Sequence, residues 1–195
     1  MKKIISLFLT SIILCTLLSG CSIIGTINNI KSYTNYSKGL ELALDGNGEY
    51  YTLIGIGSCK DKDIVIPSKH EGKPVRKISF RVFIDCTFIE SIIIPSSVDY
   101  IGDEAFKNCS SLIKVTIPSS VKFIEKGAFE GCSSLEKAYF LSPNNWGICR
   151  LQYDSKFDVN TLVVDPLNEN ISNPSTAAKL LTSTYVDRCW KTINK

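Results

Sequence analysis

A repeat of 23 residues limits the folds open to this chain more than any other feature of its sequence. The pentapeptide Ile-Pro-Ser-Ser-Val stands at residues 94–98 and again at residues 117–121, and the same shift carries Phe106 to Phe129. A third copy lies 23 residues upstream and keeps its apolar positions: Val75, Ile78, Phe83, Cys86, Ile89, Ile92 and Ile94. A period in the twenties predicts a solenoid of the leucine-rich type, in which each repeat forms one coil.

Each repeat predicts a coil with a strand on one side. Alternating apolar residues at 112–117 predict the strand, and Pro118 ends its pairing. Residues 102–107 and 125–130 take the opposite side, where we expect one helical turn. Such a coil is too small to bury its own apolar side. We therefore expect equivalent side chains of successive coils to stack on one another in the core.

The residues of this repeat resemble the BspA-like leucine-rich repeats of bacterial surface proteins. Their consensus is Ile-Gly-x-x-Ala-Phe-x-x-Cys-x-x-Leu-x-x-Val-x-Ile-Pro. The resemblance covers about residues 39–195 and implies an α/β solenoid of short, 23-residue coils. We place an N-terminal β-hairpin cap at 39–67, the repeats at 68–143, and a degenerate final coil with a C-terminal helical cap at 144–195.

Local patterns support both caps. Alternating leucines from residue 40 to residue 44, followed by Asp-Gly-Asn-Gly at 45–48, predict a hairpin. The acidic turn lacks the spaced carboxylates of a calcium loop, which favours a structural turn. Near the other end, Asn173 and Pro174 are typical of a helix start, and the following apolar residues share one face.

The N-terminus has the composition of a secretory signal. Two lysines precede residues 4–18, an almost unbroken apolar run that is short for a membrane-spanning helix. The tetrapeptide ending at Cys21 resembles the bacterial lipobox, in which the cysteine is acylated and becomes the new N-terminus. We predict a signal peptide at 1–20, attachment to membrane lipid through acylated Cys21, and a polar tether at 21–38. An ordinary cleaved signal with an incidental cysteine is the alternative.

The remaining chemistry-bearing residues do not form an enzyme pattern. Cys86, Cys109 and Cys132 recur with the repeat, so we interpret them as buried thiols that act as small apolar residues. A bridge between Cys149 and Cys189 is left open. We expect the single histidine, His70, to be solvated in a loop. We predict no catalytic residues, no metal site and no cofactor.

Charge argues against a nucleic-acid partner. The formal net charge is +3, with 22 basic and 19 acidic side chains, and two of the basic ones belong to the leader. The near-balance of the remaining chain leaves no positive surface for a phosphate backbone.

The outward side of the predicted strands is the candidate binding site. Alternation along each strand directs an apolar column outward from Val65, Ile93, Thr116 and Tyr139. A second column runs beside it through Asp63, Ser91, Lys114 and Lys137. The first column is more apolar than solubility requires, which suits a contact surface, although ordinary strand propensity explains it equally well.

Two functions remain open for this chain. The resemblance implies a cell-surface lipoprotein that binds an unidentified protein or peptide, or mediates adhesion, through the sheet face. The alternative is a structural or assembly component of the cell envelope that faces the periplasm. Both place the chain in the cell envelope, anchored to a membrane.

Overall fold

The computed structural model describes residues 36–143, 146–152, 161–166, 171–184 and 188–192. The predicted signal peptide, Cys21 and nearly all of the tether lie outside these residues. In the part that is described, no helix combines the length and the apolar character needed to cross a membrane.

Four parallel strands, one from each coil, form what we call the front sheet. In spatial order they are β3 (Asp63–Val65), β6 (Ser91–Ile93), β8 (Lys114–Ile117) and β10 (Lys137–Phe140). The first coil is longer than the others because it contains an extra hairpin between β4 (Lys69–His70) and β5 (Lys73–Ile78). The later strands follow at the period of the repeat, so the predicted solenoid of 23-residue coils is confirmed.

A second sheet, the back sheet, closes the other side of the coils. Besides β5, it contains β1 (Glu41–Leu44), β2 (Tyr51–Gly55), β7 (Tyr100–Ile101), β9 (Phe123–Ile124), β11 (Trp146–Gln152), β12 (Thr161–Pro166) and β13 (Cys189–Thr192). Their spatial order is β1-β2-β5-β7-β9-β13-β11-β12, with β4 paired to β5. Within this sheet the neighbours β2, β5, β7 and β9 are parallel to one another, as stacked coils require. The strands at both ends of the sheet pair in antiparallel fashion.

The third side of each coil consists of reverse turns. We predict one helical turn at residues 102–107 and 125–130, and this is wrong. Two positions in each coil have a positive φ angle, which a right-handed helix cannot contain. They repeat with the coil as Arg81, Glu104 and Gly127, and as Asp85, Asn108 and Gly131.

The core lies between the two sheets and the turns. Phe83, Phe106 and Phe129 stack with centroid separations of 5.3 and 5.0 Å, and each is almost fully buried. This confirms the predicted stacking of Phe106 on Phe129. Each large apolar side chain contributes about 1.5–3 kcal/mol before conformational entropy is subtracted. Repetition of such stacks makes neighbouring coils depend on one another.

The N-terminal hairpin of β1 and β2 forms as predicted. At its turn the carboxylate of Asp45 accepts hydrogen bonds from the backbone N–H groups of Asn47, Glu49 and Tyr50, at 2.6–3.2 Å. The bond from Tyr50 is the largest of the effects that lower the pKa of Asp45. This carboxylate organises the turn, in agreement with the structural interpretation of residues 45–48.

The folded domain includes a residue from the range 21–38 that we predict as tether. Ser37 is buried, and its backbone N–H donates to the carbonyl of Val65 at 2.9 Å. The N–H of Val65 returns a hydrogen bond to the hydroxyl of Ser37 at 3.1 Å. The ordered domain therefore includes Ser37, which lies against the outer edge of β3.

The C-terminal cap differs in part from our expectation. Residues 144–166, predicted as a degenerate coil, contain β11 and β12, which pair with each other in antiparallel fashion. The place beside β9, where a further coil would add a parallel strand, is taken by β13 in antiparallel orientation. Trp190 of β13 is buried there opposite Ile124 and stacks on Phe140, which gives this arrangement its apolar contact.

The predicted helix start is confirmed. Helix α1 (Pro174–Lys179) begins with proline, and the side-chain oxygen of Asn173 accepts from the N–H groups of Ser175 and Thr176 at 3.0 and 3.2 Å. A π-helical turn (Leu180–Thr184) continues it. The buried residues of this unit are Ala177, Ala178, Leu180 and Leu181. Helix α1 packs against β10, the last strand of the front sheet.

Candidate functional site: the front-sheet face

The register of the front sheet aligns the predicted binding residues in two columns. The apolar column contains one residue from each strand: Val65, Ile93, Thr116 and Tyr139. The polar column is aligned in the same way: Asp63, Ser91, Lys114 and Lys137. The structure therefore brings all the predicted binding residues of the two columns onto one face. Their role in binding stays a prediction.

Burial separates this face from the core. The residues between the two columns point inward and are almost completely buried: Ile64, Ile92, Val115 and Ala138. Val65, Ile93 and Thr116 are half-buried, and Tyr139 is 38% exposed. A change at Tyr139 can thus alter the surface without opening a cavity in the core.

Charge is distributed unevenly along the polar column. At the first coil, the carboxylate of Asp63 accepts a hydrogen bond from the hydroxyl of Ser91. At the last two coils, Lys114 and Lys137 are both exposed and stand directly opposite each other on neighbouring strands. None of the ion pairs among the described residues involves either lysine. Adjacent like charges are unfavourable, so an anionic group on a partner would stabilise this end of the face.

Both edges of the front sheet have neighbours. Ser37 occupies hydrogen-bonding groups of Val65 on the outer edge of β3, and α1 packs against β10 on the other side. Addition of a partner's strand to an edge is a common mode of peptide binding, and it needs unpaired backbone groups. Because Ser37 already takes the backbone groups of Val65 at one edge, the structure favours side-chain contacts on the open face.

A model of the BspA type leucine-rich repeat region matches residues 57–158 in six copies. The chain belongs to the BspA-type leucine-rich repeat family. The match includes the whole front sheet and the consecutive parallel strands of the back sheet from β5 to β9.

Three solved structures of leucine-rich repeat proteins are similar to part of this chain. The leucine-rich repeat protein TpLRR of T. pallidum is similar with a TM-score of 0.52 and 27% identity, over 54% of this chain and 49% of that one. A leucine-rich cell surface protein from Faecalibacterium prausnitzii gives a TM-score of 0.46 and 34% identity, over 52% and 28%. A leucine-rich repeat protein from Bacteroides ovatus gives 0.48 and 27%, over 55% and 30%. This chain therefore spans about half or less of each of these proteins. No curated protein sequence matches it.

The cysteines of the BspA-type coils are buried thiols, as predicted. The Sγ atom of Cys109 donates to the carbonyl of Phe83 at 3.2 Å, and that of Cys132 donates to the carbonyl of Phe106 at 3.1 Å. Burial raises the pKa of Cys86 to about 11. Cys86 therefore remains protonated near neutral pH, and the hydrogen bonds of Cys109 and Cys132 link one coil to the next.

The environment of His70 differs from our expectation of a solvated loop residue. It lies in the short strand β4, half-buried, with its ring edge-on to Tyr51 at a centroid distance of 4.7 Å. The hydroxyl of Tyr51 donates to Glu71 at 2.6 Å, and this bond is the main cause that raises the pKa of Tyr51. Over the described ranges, His, Cys, Asp and Glu side chains form no group of three or more that could hold a metal ion.

The turn side carries an ion network that sequence analysis missed. Glu104 pairs with Arg81 of the preceding coil at 2.6 Å and with Lys107 of its own coil at 2.8 Å. Lys107 also reaches Glu130 of the next coil at 3.0 Å. The signal was available in the sequence, because Arg81 and Glu104 occupy equivalent positions of successive repeats. Lys126 is exposed in the same turns and takes part in none of the ion pairs among the described residues.

Proposed function

We propose that this chain is a non-enzymatic cell-surface lipoprotein that binds a protein partner, or mediates adhesion, through the front-sheet face. Membership of the BspA-type family supports a binding role, because such repeats provide an extended scaffold rather than a reaction centre. The chain would be held at the membrane by acylated Cys21, and the polar segment after it would connect the lipid to the domain at Ser37.

One observation carries the proposal most directly. The parallel register places an apolar column and two adjacent lysines on the same open face of the front sheet. Apolar contacts supply most of the affinity in protein interfaces, and charges at the margin set the association rate and the choice of partner. The face offers both in neighbouring columns, so it fits a partner that presents apolar side chains beside an acidic group.

The test is capture of a partner by the immobilised domain, followed by affinity measurement with single variants. We expect Ile93→Asp and Tyr139→Asp each to weaken binding by about 10-fold or more, because each places a charge among apolar contacts. The thermal unfolding temperature of Tyr139→Asp should stay close to that of the native chain. Lys126→Glu, a charge reversal on the turn side, should leave affinity unchanged.

These variants test the location of the binding site separately from the binding role itself. Loss of binding in Lys126→Glu with normal binding in Tyr139→Asp would move the site to the turns and disprove the front-sheet assignment. If no partner is captured from host, neighbouring-cell or self extracts, the binding role loses its support. Protease treatment of intact cells then tests the alternative, since an envelope component facing the periplasm would be protected.

A further inference from the structure

Two cysteines that are distant in the sequence meet in the C-terminal part of the back sheet. Cys149 lies in β11, and Cys189 is the first residue of β13. The antiparallel register of these two strands pairs Cys149 directly with Cys189. Their neighbours are paired in the same register, Ile148 with Trp190 and Gly147 with Lys191, so the alignment belongs to the whole strand pair.

The backbone of such a pair has the spacing that a disulfide requires. Residues directly opposite each other on antiparallel strands have Cα atoms about 4.5 or 5.5 Å apart, depending on the type of pair. Disulfides span Cα distances of about 4.4–6.8 Å, so both types of pair fall within the permitted range. The remaining cysteines of the described chain are buried in the coil core: Cys59, Cys86, Cys109 and Cys132.

We propose that Cys149 and Cys189 form a disulfide bond that fastens the C-terminal cap to the solenoid. One thiolate attacks the disulfide bond of an oxidised carrier, such as a thiol oxidase or oxidised glutathione. The carrier S–S bond breaks, a mixed disulfide forms and the first carrier thiol leaves. The thiolate of the second cysteine then attacks the sulfur of the first cysteine in the mixed disulfide and expels the second carrier thiol. Two electrons and two protons pass from the protein to the carrier. The pairing itself does not depend on the proposed function. Export is needed only to bring the chain into a compartment that holds such an oxidant.

The position of β13 makes this bridge consequential. Strand β13 pairs with β9 of the last coil on one side and with β11 on the other. The loop that the disulfide closes contains β12, α1 and the π-helical turn that follows α1. Separation of β13 from β11 would remove the strand pairing that joins the β11–β12 hairpin to the rest of the back sheet. A covalent bond across that pair restricts the unfolded chain and resists this opening.

Peptide mapping tests the pairing directly. The full chain is folded in a buffer of oxidised and reduced glutathione, its free thiols are alkylated, and it is digested with trypsin without reduction. We expect peptide 138–150 linked to peptide 189–191, with a mass lower by two hydrogen atoms than the sum of the two. Separate, alkylated forms of both peptides as the main products would overturn the proposal.

A thermal measurement tests the proposed effect on the cap. Reductant should lower the unfolding temperature of the native chain by roughly 5–10 °C, given a closed loop of about 40 residues. The double variant with Cys149→Ala and Cys189→Ala should show no such dependence, whereas the core variant Cys86→Ala should keep it. An equal effect of reductant on the double variant would contradict the proposal. A bridge that forms with glutathione but is absent from the chain in cells would support the pairing and count against export.

Discussion

Phe106 lies between Phe83 and Phe129, so its removal affects two coil boundaries at once. The ring is almost completely buried and stacks on both neighbours at 5.3 and 5.0 Å. Phe106→Ala should lower the free energy of unfolding by about 3–5 kcal/mol, measured by denaturant titration. Phe80→Ala is the matched control, because Phe80 is 65% exposed. We expect a change of less than about 0.5 kcal/mol there. Equal losses for the two variants would be incompatible with the phenylalanine stack.

Single residues also show what the sequence could and could not predict. The core positions were predictable because the repeat aligns apolar residues that share one environment. The left-handed backbone at Glu104 and Asn108 was not predicted, since neither residue type requires that conformation. The most C-terminal copy contained the signal: glycines stand at the equivalent positions, Gly127 and Gly131. Comparison of the copies position by position, with glycine taken as a marker of positive φ, would have replaced the helical turn with reverse turns.

On the turn side of the coils, a pH titration can isolate the ion network. The hydrogen bonds from Lys107 and Arg81, in that order, lower the pKa of Glu104 below its ordinary value of 4.5. A lowered carboxyl pKa in the folded state stabilises the fold above pH 4.5, and this contribution is lost as pH falls through the lowered value. Glu104→Gln should therefore be less stable than the native chain near pH 7, by a difference in unfolding temperature that shrinks below pH 4.5. About 1 M salt should reduce the difference at neutral pH. A difference that stays constant down to pH 3 would contradict the role of the charge.

On the front sheet, the two lysines should affect the rate of association with a partner, whereas the apolar column should affect the strength of binding. Lys114 and Lys137 are exposed at the same end of the face. Lys114→Glu should lower the association rate of an acidic partner at low ionic strength, with little change in the dissociation rate. The difference from the native chain should largely disappear at high salt, because exposed charges are screened. Surface-bound kinetics at two salt concentrations measure this, and an effect confined to the dissociation rate would be at odds with a steering role.

The sheets differ in how far the sequence predicts them. From β6 to β10, neighbours in the front sheet are successive 23-residue repeats, so the period gives their order and their register. The longer first coil places β3 outside this period. The end of the back sheet has no such guide. Strand β13 lies between β9 and β11 although it is far from both in the chain, and no local pattern specifies a pairing of that kind. The degenerate coil was wrongly predicted for this reason, and the partnership of Cys149 with Cys189 could only be left open.

The size of the whole molecule limits what one copy can hold. Four strands at about 4.8 Å spacing give a front-sheet face roughly 15 Å across. Protein interfaces of standard size bury about 800 Å² on each partner, which is more than a face of this size offers by itself. Strong attachment to a large partner would therefore depend on many copies that are held together at one membrane. The proposed lipid anchor thus affects binding as well as location.

The variant Cys21→Ser tests both the lipid anchor and the dependence of strong attachment on many copies at one membrane. We expect the variant to lose incorporation of labelled fatty acid and to leave the membrane fraction, or to remain unprocessed, because the proposed acyl acceptor is the thiol of that residue. The purified domain should bind an immobilised partner with unchanged affinity, since the front-sheet face is intact. Attachment of whole cells to a partner-coated surface should fall much further than the monomer affinity explains, because the copies are no longer held together.

Fatty-acid label that persists in Cys21→Ser would remove the lipoprotein proposal. Normal cell attachment by a variant that has left the membrane would remove the link between anchoring and avidity.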